Sequence, residues 1–374
     1  MKVAIVHDWL NQMGGAEGVL EVLMDMYPGA PLYTSIYWRE GMPDAYKQWD
    51  IRTSFLDRWP LVKREHQMFL PFYPLAFESF DFAGYDVVIS NKSGFCHGII
   101  TPPETLHICY CLTPTRYLWD TANYIRREGL GKLAQAALVP FLAQLRLWDR
   151  LAADRVDAFI AISQAVRRRI AKYYRRDSVV IYPPVHTDRF EPSAKQEDYY
   201  LVVSRLVPYK RIDLAVEAFN RLDKPLVIIG EGRDRKALEA IARPNITFLG
   251  RLPFEQVRDF MARCRALIFP GLEDFGITPV EAHAAGRPVI AFAGGGALDT
   301  VEEGRTGILF REHTPESLME AVARCEQTAF DPGVLRANAE RFSVAEFRRQ
   351  IAAFVERELE KGVSRLSAGN QRVR

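Results

Sequence analysis

None of the 374 residues falls in a run of the ~20 consecutive apolar positions that a membrane-spanning helix needs. The opening Met1-Lys2-Val3-Ala4-Ile5-Val6 is mostly apolar but stops at His7-Asp8, too soon for a signal peptide. Cysteine is scarce. Five residues, an odd and scattered set, give no disulfide framework and fit a reducing cytoplasm. Cys109 and Cys111 alternate on one expected strand, so they share a face but are poorly placed to bridge each other. An excess of one charge is also missing: 49 Lys and Arg against 47 Asp and Glu leave +2, which argues against a general nucleic-acid partner. The clusters Arg167-Arg168-Arg169 and Arg175-Arg176 read as solvated helix faces. No histidine pairs with cysteines or carboxylates at a zinc spacing and there is no Asp-x-Asp pair, so no metal is expected.

What is present is an ordinary globular composition, 48% hydrophobic and 26% charged, long enough for two or three domains. Short apolar runs bounded by turn residues predict strands at Val3–Val6, Asp86–Ser90, His107–Cys111 and Ala158–Ile162, with helical stretches between them. Ser163 is a candidate helix N-cap. Tyr182-Pro183-Pro184-Val185 breaks the alternation, and the polar run from Phe190 to Glu197 follows, so the domain linker is placed there. A second series has strands at Tyr199–Val203, Pro225–Ile229, Ile246–Leu249, Ala266–Phe269 and Pro288–Phe292. The chain is therefore α/β, with domains over 1–190 and 197–342 and a terminal segment over 343–374. In that segment Phe347, Ile351, Phe354 and Val355 share a helical face that should pack, and the tail from Ser364 should be loose. Strands separated by helices imply parallel sheets, with ligands met at the C-terminal strand ends.

The residues that carry chemistry collect at those ends. After the strand ending at Phe269 come Glu273 on a loop and Glu281 in a helix entered near Thr278-Pro279. Two carboxylates accept hydrogen bonds from hydroxyls, and a helix N-terminus offers N–H groups to phosphate, a pairing suited to a nucleotide sugar. The plain alternative is two solvated glutamates. Arg205 and Lys210 stand after Val203, where two cations could hold a diphosphate or simply lie on the surface. Gly230-Glu231-Gly232 and the Gly14-Gly15 loop before an apolar helix could each approach a nucleotide. Neither is a dinucleotide or Gly-Lys-Ser/Thr phosphate fingerprint.

Together, Ser204-Arg205…Lys210-Arg211, Gly230-Glu231-Gly232, Glu273-x7-Glu281 with Ala284-Ala285-Gly286, Gly294-Gly295-Gly296-Ala297 and Gly304-Arg305-Thr306-Gly307 resemble family 4 glycosyltransferases of the GT-B fold. His7-Asp8-Trp9…Gly14-Gly15-Ala16-Glu17 and the Cys109–Asp120 stretch carry the resemblance across nearly the whole chain. The subgroup most like it is the bacterial GDP-mannose-dependent mannosyltransferases of polysaccharide assembly. The resemblance implies two Rossmann-like domains facing an interdomain cleft and a retaining transfer without metal or cofactor, the nucleotide sugar being a substrate. It implies that Arg205 and Lys210 stabilise the leaving diphosphate, that Glu281 holds the ribose and that Glu273 holds the transferred sugar. The N–H groups of Phe275, Gly276 and Ile277 would orient sugar and phosphate, and Gly14 and Gly15 would close over the diphosphate.

One position departs from the family. Where it reads Cys-His-Thr-Pro this chain has Leu112, which can neither donate nor accept a proton. Either His97 supplies the catalytic imidazole, or the leaving phosphate takes the acceptor proton unaided, or donor or acceptor has changed; His283 is expected to be packed. The acceptor implied is a glycan or a polyprenol-linked glycan. The stretch from Ser54 to Pro74 mixes apolar, aromatic and basic residues, and is either a surface for the inner membrane face or an acceptor-cleft wall. Other activities on this architecture are a nucleotide-sugar epimerase, a phosphorylase and a non-catalytic nucleotide-sugar-binding partner.

Overall fold

Apolar runs too short for helices become strands buried on both faces, as parallel sheets require. The structure is a computed structural model that describes residues 1–120 and 132–371, with side chains described outside 121–140 and 362–374. The first sheet contains β1 (Val3–His7), β2 (Leu32–Thr34), β3 (Ile51–Thr53), β4 (Val87–Lys92), β5 (Leu106–Cys111), β6 (Ala158–Ala161) and β7 (Val179–Val180). Its order is β3-β2-β1-β4-β5-β6-β7, and every pair is parallel. The second contains β8 (Tyr200–Val203), β9 (Leu226–Ile229), β10 (Ile246–Gly250), β11 (Leu267–Phe269), β12 (Val289–Phe292) and β13 (Gly307–Phe310). Its order is β10-β9-β8-β11-β12-β13, again parallel throughout. In each sheet the winding reverses once, between β1 and β4 and between β8 and β11, and such switch points open a crevice at the C-terminal strand ends.

The strands β2, β3, β7 and β13 were not among the expected ones. The first three are two or three residues long, below the length at which alternation shows, and β13 begins inside a glycine-rich turn. Two compact units result, Met1–Tyr182 with Arg348–Arg374, and Pro183–Phe347. The division falls at Tyr182-Pro183, at the start of the expected linker.

Period-two alternation builds the second unit's core. Tyr200 and Val202, Leu226 and Ile228, and Ile290 and Ile308 point to one side, where helix residues Leu214, Phe219, Leu318 and Val322 meet them. The first unit's core is richer in rings, with Tyr73, Phe77 and Phe95 packed over Val6 and Val88. Each fully buried side chain of this kind contributes roughly 1.5–3 kcal/mol. Phe347, Ile351, Phe354 and Val355 are all buried, as their shared helical face requires. Their helix, Val344–Gln371, runs past Ser364, so the backbone there is helical where a loose tail was expected. Ser163 caps the helix that follows it, its Oγ accepting from the Val166 N–H at 3.1 Å.

Candidate active site

At the β8/β11 switch point of the second unit the structure brings two of the expected residues together: Lys210 Nζ is ion-paired with the Glu273 carboxylate. Lys210 ends a single helical turn, Pro208–Lys210, and Arg211 after it takes a left-handed conformation (φ 52°) that turns the chain into the helix Ile212–Leu222. Gly271 explains how the β11 loop comes so close. A Cβ there would lie 2.9 Å from the Lys210 Cα, so only glycine lets the two loops touch. The loop after β12 closes on the other side. The Gly296 N–H donates to the Glu273 carbonyl at 2.9 Å, and a Cβ on Gly296 would lie 2.2 Å from the Phe275 Cα. Glu273 is thus held at the crevice between two glycine contacts. Those roles for Gly271 and Gly296 follow from approach distances that no spacing in the sequence reveals.

Arg205 is exposed at the same edge, but it does not join the pair; its guanidinium donates to the Tyr209 hydroxyl at 2.9 Å. Tyr209 also lies under Lys210, with Nζ 5.3 Å from its ring centre, and was not among the sequence candidates. Gly230 and Gly232 pack against the backbone after β8. Added Cβ atoms would lie 1.8 Å from the Ser204 carbonyl oxygen and 2.1 Å from that of Leu206. Their lack of side chains is therefore required by loop packing whether or not a nucleotide also touches them.

Gly276, at φ 91°, turns the chain into the helix Ile277–Ala284, whose first N–H groups lack intrahelical partners. Phe275 is buried against Phe342 and anchors the turn. Glu281 lies one turn in and makes no side-chain hydrogen bond or ion pair among the described residues. Loss of solvent pushes its carboxyl up to about 7. His283, two residues on, is packed as expected. Its Nε2 donates to the Thr306 carbonyl at 2.9 Å while Nδ1 faces the Asn338 amide at 3.1 Å.

The Glu281 shift has a measurable sign. In the unfolded chain this carboxyl ionises near 4.5, so between that pH and about 7 the native state holds a proton the unfolded chain has lost. Stability from the neutral form is therefore full at low pH and falls as pH rises through that window. Glu281→Gln, which fixes the neutral shape, is expected to stabilise the free protein at pH 8 and to do so much less at pH 5. Urea unfolding at both pH values reads this; equal effects at the two would show a solvated carboxylate.

In the first unit, Asp8 leaves β1 at the β1/β4 switch point and is wholly buried. Its Oδ2 accepts from the N–H groups of Ser93 and Gly94, both at 2.6 Å, and its Oδ1 from Phe95 at 2.6 Å and Cys96 at 2.8 Å. One carboxylate thus gathers the whole turn after β4. That turn carries His97, and it encloses the imidazole so that His97 cannot take the catalytic role its sequence position suggested. The imidazole has no solvent exposure, donates from Nε2 to the Asp149 carbonyl at 3.1 Å and stacks on Tyr174. Burial, and the Lys92 ammonium beside it, hold its pKa well below the ordinary value, so it is a neutral core residue.

Lys92 and Asp149 are both fully buried and had no place in the sequence reading. Lys92 Nζ donates to the Thr113 carbonyl and to Thr115 Oγ1, at 3.1 and 3.0 Å; Thr115 Oγ1 in turn lies 2.8 Å from Asp149 Oδ1. Burial is the largest influence on the Lys92 pKa and acts to lower it, but the neighbouring acidic groups, Asp149 first with Cys111 and Asp8, together outweigh it and the net shift is upward. These buried charges fix the turn bearing Leu112, whose N–H donates to the Lys92 carbonyl at 2.8 Å. Gly14 and Gly15 are exposed at the start of the helix Gly15–Met26. Of the Ser54–Pro74 stretch, Leu56, Val62, Leu70 and Tyr73 are core, while Leu61, Met68 and Phe72 are exposed, with Leu75 just beyond. All five cysteines are buried and free. Among the described residues no group of acids, histidines and cysteines could hold a metal, and no helix is long and apolar enough to cross a membrane.

Two doubly wound parallel sheets, with an ion pair and a helix N-terminus at the switch point of the second, define an α/β protein of the GT-B class. Residues 186–341 match the Glycosyl transferases group 1 family. It is 30% identical over 184 residues to an uncharacterized glycosyltransferase of Methanocaldococcus jannaschii, covering 47% of this chain and 52% of that one. It is likewise 30% identical over 202 residues to a GDP-mannose-dependent alpha-(1-6)-phosphatidylinositol monomannoside mannosyltransferase of Mycobacterium tuberculosis, covering 46% and 52%. The chain spans about half the length of the curated relatives it matches. Among solved structures, HepE of Anabaena in complex with UDP and glucose is similar with a TM-score of 0.69 at 20% identity, covering 95% of this chain and 99% of that one. Sucrose-phosphate synthase from Thermosynechococcus elongatus has the same TM-score at 17% identity, covering 96% and 99%. At such identities these two likenesses speak for the fold.

Proposed function

We propose that this chain is a retaining glycosyltransferase that moves mannose from GDP-mannose onto a glycan or polyprenol-linked acceptor. The observation that carries the reading is the Lys210–Glu273 pair held by glycine contacts at the second unit's switch point, beside a helix start and the unpartnered Glu281. In the reaction the bond between the anomeric carbon and the phosphate oxygen breaks, and the nucleoside diphosphate leaves with the electron pair. The acceptor oxygen bonds to that carbon, and its proton passes to the leaving phosphate. Lys210, with Arg205 at the same edge, would stabilise the charge that develops on the diphosphate, a role cations can fill without a metal. Glu273 would accept from hydroxyls of the transferred sugar and Glu281 from those of the ribose. The N–H groups of Phe275, Gly276 and Ile277 would face sugar and phosphate. We assign Gly230 and Gly232 to the nucleotide, and the exposed Gly14–Gly15 helix start to phosphate.

The mannose assignment rests on relatives named as mannosyltransferases. A thermal-shift screen tests it, because a donor that binds the native state raises Tm. GDP-mannose should give the largest shift. A larger shift with UDP-glucose or UDP-N-acetylglucosamine would reassign the donor, and no shift with any nucleotide sugar would defeat the reading.

We also propose that the enzyme works at the cytoplasmic face of a membrane. Support comes from a stripe of exposed apolar side chains, Met68, Phe72 and Leu75 at helical spacing, with Leu61 and the exposed Arg58 and Arg64 in the same segment. Co-sedimentation with vesicles containing anionic lipid at low salt is expected. Its absence there would leave the stripe to the acceptor alone.

A further inference from the structure

The expected imidazole is missing at Leu112 and His97 is enclosed, yet another histidine stands at the C-terminal edge of the first unit's sheet. His66 lies in the segment after β3, and its ring centre is 5.1 Å from that of Trp9, which follows β1. Between them, Asn11 sets the imidazole's proton. The Asn11 Nδ2 group lies 3.3 Å from the Lys63 carbonyl and 3.2 Å from His66 Nδ1. A carbonyl oxygen can only accept, so the amide must present its NH2 there and not its oxygen. The same NH2 then faces Nδ1, which must therefore be the ring's acceptor. In the neutral imidazole the one proton is left on Nε2, as a donor.

Protonating Nδ1 would aim an N–H at the amide's own N–H, so the clamp also favours the neutral ring, and burial acts in the same direction. The Nε2 atom makes no hydrogen bond to any described residue. A fixed donor beside the partly exposed Trp9 ring offers a hydroxyl contact and an apolar wall, the two things a pyranose needs.

We infer that His66 is an acceptor-binding residue, its Nε2–H donating to a hydroxyl oxygen of the acceptor sugar, with Asn11 as the positioning residue that fixes the tautomer. The inference rests on the glycosyltransferase reading. It assigns the first unit to the acceptor, because Lys210, Glu273 and Glu281 all belong to the second.

The test uses the full chain with GDP-mannose and octyl α-D-mannopyranoside as the acceptor probe. His66→Phe keeps a ring against Trp9 and removes the donor. Its KM for the octyl mannoside is expected to rise about tenfold, the scale of one lost hydrogen bond, while the KM for GDP-mannose stays within twofold. His66→Gln, whose amide N–H can reach the Nε2 position, should restore the acceptor KM to within about threefold of wild type. An unmoved acceptor KM in His66→Phe, or equal losses for both substrates, overturns the assignment.

Nitrogen NMR of [15N]histidine-labelled protein reads the tautomer without turnover. His66 should be the Nε2–H form in the wild type and a mixture in Asn11→Ala; an Nδ1–H form in the wild type overturns the clamp. If the wild type turns over no nucleotide sugar, the glycosyltransferase reading fails by itself. The His66 signal still decides the site, since a shift on adding octyl mannoside supports it and none refutes it.

Discussion

Alanine at Lys210 is expected to lower turnover by ~100-fold or more, the scale for losing one transition-state charge contact. The effect should fall mainly on kcat, because charge on the diphosphate is greatest as the sugar leaves. The geometry adds a complication that the sequence alone would have hidden. Lys210 is ion-paired to Glu273 in the free protein, so its removal also leaves that carboxylate unpaired. The two effects separate by experiment. In urea unfolding, Glu273→Gln removes the pair while leaving the cation, so a stability loss that comes only from breaking the pair should appear equally in both variants, whereas a Lys210→Ala loss of kcat beyond that of Glu273→Gln reports the cation. Arg205→Ala should also lose turnover, without the stability change, since among the described residues its exposed guanidinium hydrogen-bonds only to the Tyr209 hydroxyl. Unchanged kinetics in both cation variants would defeat the assignment.

The largest stability effect is expected at Asp8, which touches no proposed substrate. Asp8→Ala would leave the N–H groups of Ser93, Gly94, Phe95 and Cys96 without their acceptor, three of them on buried residues. Each unsatisfied buried group costs roughly 1–3 kcal/mol, so a loss of about 3 kcal/mol or more is expected in urea unfolding. Asp8→Asn should recover little, because an amide keeps one accepting oxygen and turns its NH2 toward two backbone N–H groups. A loss under about 1 kcal/mol in Asp8→Ala would mean that water replaces the carboxylate in that turn.

Much of the fold was legible because strands and their spacing are local signals. Nine expected strands match observed ones, and the four overlooked are short or start in a glycine turn. The second unit's candidates were legible for the same reason. Arg205, Lys210, Glu273 and Glu281 follow the ends of β8 and β11, and parallel topology carries those ends to one edge. His97 misled because it also follows a strand end, β4. There the Asp8 carboxylate pulls the intervening turn inward, and the imidazole ends beneath the aromatic rings of Tyr174 and Trp148. Lys92 and Asp149 were invisible for a related reason. A charged residue in a sequence reads as solvent-exposed until its buried partner is known, and here Thr115 links the two.

By itself the sequence determined the α/β class, the second unit's chemical candidates and the departure at Leu112. Those follow from residue type, local periodicity and order along the chain. Tertiary structure alone decided which candidates meet. It paired Lys210 with Glu273, enclosed His97, made Gly271 and Gly296 indispensable to the loops around Glu273, and set the His66 proton through Asn11 and the Lys63 carbonyl. All of these depend on distances of a few ångströms between separate segments of one unit, which only the packing of loops around that unit's own sheet can fix.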